Sequence, residues 1–135
     1  MAIKQSATFR NTVPNGTYGT ISKAEGIATF DGDAAGTEIH SLKLEAGTKV
    51  FGVVAHHDNL GAGTTIKVGF AYVDNQDGAA VSDAFIAAAA TTAAGKLVFD
   101  GKPITLNAPA VLTVTNTGTA TGSVVVIPEY EFRGV

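Results

Sequence analysis

Residues 44 to 70 read LEAGTKVFGVVAHHDNLGAGTTIKVGF, and the reading of its two apolar runs decides what the rest of the chain can become. One run covers residues 48 to 55 and the other residues 64 to 72, with Asp58, Asn59, Gly61 and Gly63 in the polar connection between them. Two strand-forming runs joined in this way predict a long β-hairpin. In the second run Ile66, Val68, Phe70 and Tyr72 alternate with Thr65, Lys67, Gly69 and Ala71, the period of a strand with one wet face. The first run does not alternate: Val50 and Val54 fall on one parity, Phe51, Val53 and Ala55 on the other. Such a strand is expected to be covered on both sides, by a second sheet or by a neighbouring subunit.

On the N-terminal side, His40, Leu42 and Leu44 alternate with Ser41 and Lys43. Residues 1 to 38 carry little pattern beyond a turn at Val13-Pro14-Asn15-Gly16 and a short strand from Gly26 to Phe30. The expected organisation is therefore an extended N-terminal arm with a first strand over residues 1 to 38, and a β-sandwich core over residues 39 to 135. Towards the C-terminus, Asp74-Asn75-Gln76-Asp77-Gly78 is a turn. Residues 82 to 94, SDAFIAAAATTAA, predict one short helix, capped by Ser82, ended by Gly95 and anchored by Phe85 and Ile86. Leu97-Val98-Phe99 and Ile104-Thr105-Leu106 flank a tight turn at Asp100-Gly101, with Pro103 confining the second of them to a sheet edge. Ala110, Leu112 and Val114 alternate with Val111, Thr113 and Thr115, a strand whose threonine side should be wet, and residues 123 to 132 close the chain with its strongest β run. About eight short strands with glycine-rich turns predict an all-β, single-domain sandwich or jelly roll.

A chain of 135 residues is the size of one domain. Hydrophobic residues make up 45% and charged ones 16%, a balance that points to surface buried against other chains. The net charge is −3 and the nine basic residues are scattered, which argues against a nucleic-acid partner or an anionic membrane surface. The absence of cysteine excludes disulfides and thiolate chemistry. MAIKQSATFR is not followed by an apolar stretch of signal-peptide length, and no segment approaches a membrane span, so synthesis and solubility in the cytoplasm are expected.

The most chemical-looking cluster is His56-His57-Asp58. Adjacent strand residues point to opposite faces, so the two imidazoles share a metal only if the chain turns there, and a solvated loop outweighs a metal site. No Gly-x-Ser-x-Gly context places a serine beside a base. Counted as a calcium loop from Asp74, the twelfth position is Phe85, where a glutamate is needed. The glycines of Gly61-Ala62-Gly63 precede a strand and lack a P-loop lysine. Glu129 and Glu131, two apart on one strand face, suit a wet, edge-protecting role better than glycosidase chemistry. No catalytic, cofactor-binding or metal-binding residue emerges, and the expectation is a protein that is not an enzyme.

One further reading comes from resemblance. Leu44-Glu45-Ala46-Gly47-Thr48-Lys49-Val50 with Gly52-Val53, then the run from Leu60 to Gly69, then Asp83-Ala84-Phe85-Ile86 and the late Tyr130 resemble the small β-rich structural proteins of tailed bacteriophages. Within that group the likeness is to head decoration, or capsid cement, proteins. It covers residues 40 to 130 and none of residues 1 to 38. It implies a virion protein on the outer capsid surface, made in the host cytoplasm, partnered by the major capsid protein, often trimeric, and without cofactor. Joined to the apolar pattern, it suggests oligomer contacts through residues 48 to 55 and 124 to 127, with Phe51, Val53 and Val125 as contact residues. Capsid contacts are expected from the arm, through Phe9, Arg10 and Tyr18. Competing readings are another virion component, such as a head-to-tail connector or fibre-base subunit, and a carbohydrate-binding jelly roll.

Overall fold

A computed structural model describes residues 2–11, 21–99 and 101–132. The turn expected at Val13 to Gly16, the contact residue Tyr18 and Asp100 lie outside these residues. In chain order the elements are β1 (Ile3–Gln5), α1 (Ala7–Asn11), β2 (Ile21–Lys23), β3 (Gly26–Asp33), β4 (Glu38–Leu44), β5 (Thr48–His57), β6 (Thr65–Tyr72), β7 (Val81–Ala90), β8 (Gly95–Phe99), β9 (Ile104–Leu106), β10 (Ala110–Thr117) and β11 (Ala120–Phe132). A 3-10 turn at Asn75–Asp77 separates β6 from β7, and the Asp74 carboxylate accepts the Gln76 amide at 2.9 Å there.

Two sheets face each other. The first has the order β1-β4-β10-β6-β7. In the second, β11 and β5 lie side by side at the centre; β2 and β3 follow one another along the far edge of β11, and β8 and β9 along the far edge of β5. From β3 to β6 the chain changes sheet at every step, and it does so again from β7 to β8, from β9 to β10 and from β10 to β11. That winding is the double Greek key of a jelly roll, as expected from the sequence. Between the sheets lies one core, in which Phe30, Leu42, Val50, Val53, Val68, Leu112, Val114 and Val126 are almost fully removed from water. Burying each such side chain stabilises by about 1.5–3 kcal/mol.

Several local expectations change. β5 and β6 are not a hairpin: β5 pairs with β11, β8 and β9, whereas β6 pairs with β10 and β7. Residues 58 to 64 carry the chain across the roughly 10 Å between packed sheets. Nor does β5 need cover on both sides. Glu129 pairs with Gly52 and Tyr130 with Val50, so Phe51 is the extra residue of a β-bulge. The bulge reverses the phase, and Val50 before it and Val53 and Ala55 after it all point into the core. A similar shift at Ser41 turns His40 away from the side that Leu42 and Leu44 occupy.

The helix expected over residues 82 to 94 is strand β7 instead. Alanine is permissive in either conformation when packing decides. Here pairing with β6 lets Phe85 and Ile86 enter the core, which a three-turn helix at the surface could not provide. Both can be buried although adjacent, because β7 is irregular: Val68 pairs with Ile86 and Phe70 with Val81, leaving residues 82 to 85 opposite Gly69 alone. Leu97 to Phe99 and Ile104 to Leu106 do not form a hairpin either, since β8 and β9 lie in line along β5. Pro103 falls in the gap between them, where no ladder amide is needed. The threonine side of β10 is not wet: Thr113 is fully buried and Thr115 nearly so.

The corners are tied by Asn116, which is 1% exposed. Its amide nitrogen donates to the Asp33 carbonyl at 3.1 Å and the Gly118 carbonyl at 2.8 Å, while its side-chain oxygen accepts the Thr37 amide at 2.9 Å. One side chain thus closes both the β3–β4 and the β10–β11 corners. The N-terminal residues belong to the same body: β1 pairs in parallel with β4, and the Thr8 hydroxyl in α1 donates to the Ser41 carbonyl at 2.8 Å and accepts the Ile27 amide at 2.9 Å.

Candidate interface

The sheets differ on the sides that face away from the core. On the second sheet the outward residues of β11 share one parity, Ser123, Val125, Ile127, Glu129 and Glu131. Register places Val125 between Ile27 and His56, and Val54 between Ile127 and Val98. Ile27, Val125, Ile127 and Val54 are half-buried and Val98 is 52% exposed, so an apolar stripe crosses four strands with nothing over it among the described residues. Polar groups rim the stripe. Lys23 and Glu129 approach to 3.8 Å at one side, and His56 and Lys96 are paired neighbours at the other. Near Gly52, which carries no side chain, the face dips into a hollow of about 310 Å³.

The first sheet is closed on its outer side. Val111, Thr113 and Thr115 of β10 are buried there, outside the core cluster. The backbone of Val81 and Ser82 lies over Gly69: a Cβ on this glycine would stand 2.0 Å from the Val81 carbonyl oxygen. At the β4 end, the Phe9 ring lies 5.7 Å from that of His40, and the Lys43 amine 5.2 Å from the Phe9 ring. Beside it, His40 Nε2 and Glu38 Oε2 are 3.2 Å apart.

These placements sort the contact residues expected from sequence. Val125 lies in the open stripe. Phe51 is half-exposed at the bulge, with the Lys49 amine 5.4 Å from its ring. Val53 is 0% exposed in the core, because the bulge turns it inward, and so cannot reach another chain. Phe9 is 8% exposed and spent on His40 and Lys43, whereas Arg10 at the end of α1 is exposed. Val54 and Ile127, within the expected ranges 48 to 55 and 124 to 127, lie on the open face as well, joined there by Ile27 and Val98, which pattern-reading did not single out. One signal was available: Val125 and Ile127 share their parity with Glu129 and Glu131, and charged residues mark the wet side of a strand.

The chemical-looking cluster does not converge. His56 points outward; His57 is 7% exposed, with Nδ1 3.0 Å from the Asp58 carbonyl; and the Asp58 carboxylate accepts the Ser123 amide at 3.1 Å. Among the described residues no three His, Cys, Asp or Glu side chains are placed to hold a metal ion, and no helix is long and apolar enough to cross a membrane.

The fold class is thus a small double-sheet jelly roll with one bare outer face. Its likenesses lie among phage capsids. A chain in the capsid of Ralstonia phage GP4 superposes with a TM-score of 0.75 at 21% identity over 99% of both chains. A chain of the cyanophage Pam1 capsid asymmetric unit gives 0.63 at 22% identity, covering 93% of this chain and 94% of that one. One in the acidic stable capsid structure of Helicobacter pylori bacteriophage KHP30 gives 0.63 at 15% identity, covering 87% and 92%. The chain therefore has the fold of small β-rich phage capsid chains. No protein-family model matches it, and no curated protein does.

Proposed function

We propose that the protein is a non-enzymatic virion protein that decorates and stabilises a bacteriophage capsid, binding the outer surface of the major capsid protein as a symmetric oligomer, with a trimer favoured. The observation that carries this reading is the likeness to a chain in the Ralstonia phage GP4 capsid over 99% of each chain, so the likeness is not confined to one part of the fold. The bare stripe supports the oligomer: Val54, Val125, Ile127 and Val98 form an apolar strip with a polar rim, the make-up of a protein interface. Phe51, beside the bulge, extends that contact. Arg10, exposed on α1, and Tyr18 are the arm's contacts with the shell. Binding only to the assembled shell stabilises it by mass action.

The test is light scattering on the purified protein, followed by mixing it with emptied phage heads. The expected results are a trimer, co-sedimentation with the heads, and a rise in their melting temperature. A six- or twelvefold ring that leaves the heads unbound would instead indicate a connector subunit, and glycan binding by a monomer at micromolar affinity would indicate a carbohydrate-binding module.

A further inference from the structure

A threefold ring is closed by heterologous contacts, in which one patch of each copy meets a different patch of the next. The open stripe is one such patch, and its counterpart has to lie elsewhere on the chain. The large apolar side chains exposed among the described residues are Ile3, Ile21, Val73, Val81 and Val98. Val98 belongs to the stripe. Ile21 pairs with Glu131 on the same outer side of the second sheet, so it extends the stripe's own face. Ile3 stands beside Lys4, which is spent on Asp33 at 3.0 Å. That leaves Val73 and Val81, 70% and 41% exposed at the two ends of the β6–β7 turn.

The charges of the turn and of the stripe are opposite. Between Lys67 and Lys96 the chain carries Asp74, Asp77 and Asp83 and no Lys, Arg or His. The hollow at Gly52 is lined by Lys23, His56 and Lys96, with Glu129 as its one acid. Glu129 is taken by Lys23 at 3.8 Å, which leaves Lys96 as the unpaired charge at the hollow. Among the described residues neither Lys96 nor Asp77 has an ion-pair partner. The turn is also held in shape before any contact is made. The Val73 amide donates to the Pro109 carbonyl at 2.9 Å and the Asp77 amide to the Asp74 carbonyl at 3.0 Å. Gly78 lies so close to the Tyr72 ring that a Cβ there would stand 2.8 Å from it. A fixed knob loses little freedom on binding.

We propose, building on the symmetric oligomer above, that the β6–β7 turn of one copy seats in the hollow over Gly52 of the next. Val73 enters the space that the missing Gly52 side chain leaves, against Val54, Ile127 and Phe99, and Asp77 meets Lys96 at the rim. The occupant is a second copy because this chain itself carries both the apolar knob and the charge that the hollow lacks. The apolar contact supplies affinity, and the charge pair fixes which patch meets which. Because the two patches differ, the contact closes a ring and does not form a two-fold dimer.

The experiment measures association of the full chain by sedimentation velocity across a concentration series, and co-sedimentation with emptied phage heads. Val73→Ser removes the knob at a position already open to water. It is expected to weaken association by about tenfold or more, with an unchanged melting temperature at concentrations where wild type is monomeric. Lys96→Glu and Asp77→Lys each weaken association alone, and the two combined in one chain restore it, a rescue that a merely structural role would not give. The proposal is overturned, with the oligomer reading intact, if Val73→Ser and Lys96→Glu assemble as wild type does or if wild type forms a two-fold dimer. It is equally overturned if both variants keep the trimer but no longer co-sediment with heads, because the turn and the hollow would then be contacts with the shell. A wild-type chain that stays monomeric at every concentration and on heads would remove the symmetric oligomer itself, and this contact with it.

Discussion

The two outer faces of this sandwich are built around comparable central strands, β10 in the first sheet and β5 in the second, yet one face is shut by the chain itself and the other is left open. On the closed side, the backbone of Val81 and Ser82 lies over Gly69, and Thr113 and Thr115 are buried. On the open side Val54 stands beside Ile127 and Val98, and Gly52 leaves a hollow. Apolar residues on both parities of a strand therefore have two distinct physical origins. In β10 they reflect burial on both faces; in β5 a bulge reverses the phase, which brings Val50, Val53 and Ala55 to the core side and leaves Val54 on the open one.

The sharpest test of this difference is a pair of matched substitutions. Gly69→Ala puts a methyl group onto a carbonyl oxygen and is expected to destabilise by about 3 kcal/mol or more, read by urea unfolding. Gly52→Ala meets only the Phe99 carbonyl oxygen at 3.2 Å, so its effect should stay within about 1 kcal/mol. Equal effects would erase the contrast between the faces. Next in size is Asn116→Ala, which leaves buried corner groups without partners and should lose about 2 kcal/mol. Thr113→Val works in the opposite direction. The Thr113 hydroxyl is buried with no hydrogen-bond partner among the described residues, so a methyl group of similar shape should be neutral or stabilising by up to about 1 kcal/mol. A clear loss of stability would mean that the closed face has a polar partner for it.

On the open face, Val54→Glu should change monomer stability by less than about 1 kcal/mol while weakening the oligomer, as read by light scattering. The smallest effect concerns pH. The Asp31 amide holds the Asp33 carboxyl below its ordinary value; burial opposes it, and the Lys4 amine adds its own downward pull. A depressed folded-state pKa stabilises above the unfolded value and is lost as pH falls through the folded one. Melting temperatures below about pH 4 should therefore fall slightly more steeply for wild type than for Asp33→Asn.

How legible all this was depends on which interaction decides each element. Alternation in β6, the turn at Asp74 and the all-β character follow from local chemistry and can be read directly. Pairing is harder. The connection from Asp58 to Thr64 suits a hairpin loop or a crossing between sheets equally well, and only the competing partners β11 and β10 choose between them. The bulges at Ser41 and Phe51 were invisible because a bulge leaves no residue type behind, only a break in parity, and that break imitates a strand buried on both faces. The alanines of β7 have a helical propensity that the pairing of Phe85 and Ile86 with the core overrules. For the interface, Val125 could be reached from sequence, but Val53 could not be excluded without knowing the phase.

The position of β11 between β3 and β5 has a consequence for synthesis. The strand that completes the second sheet is the last to leave the ribosome, so the earlier strands wait for it with their apolar sides unmatched. A copy truncated before Ala120 would lack the middle of that sheet and, with it, Val125 and Ile127 of the open stripe. Prematurely terminated copies would thus be unable to compete with intact ones for a place in an assembly.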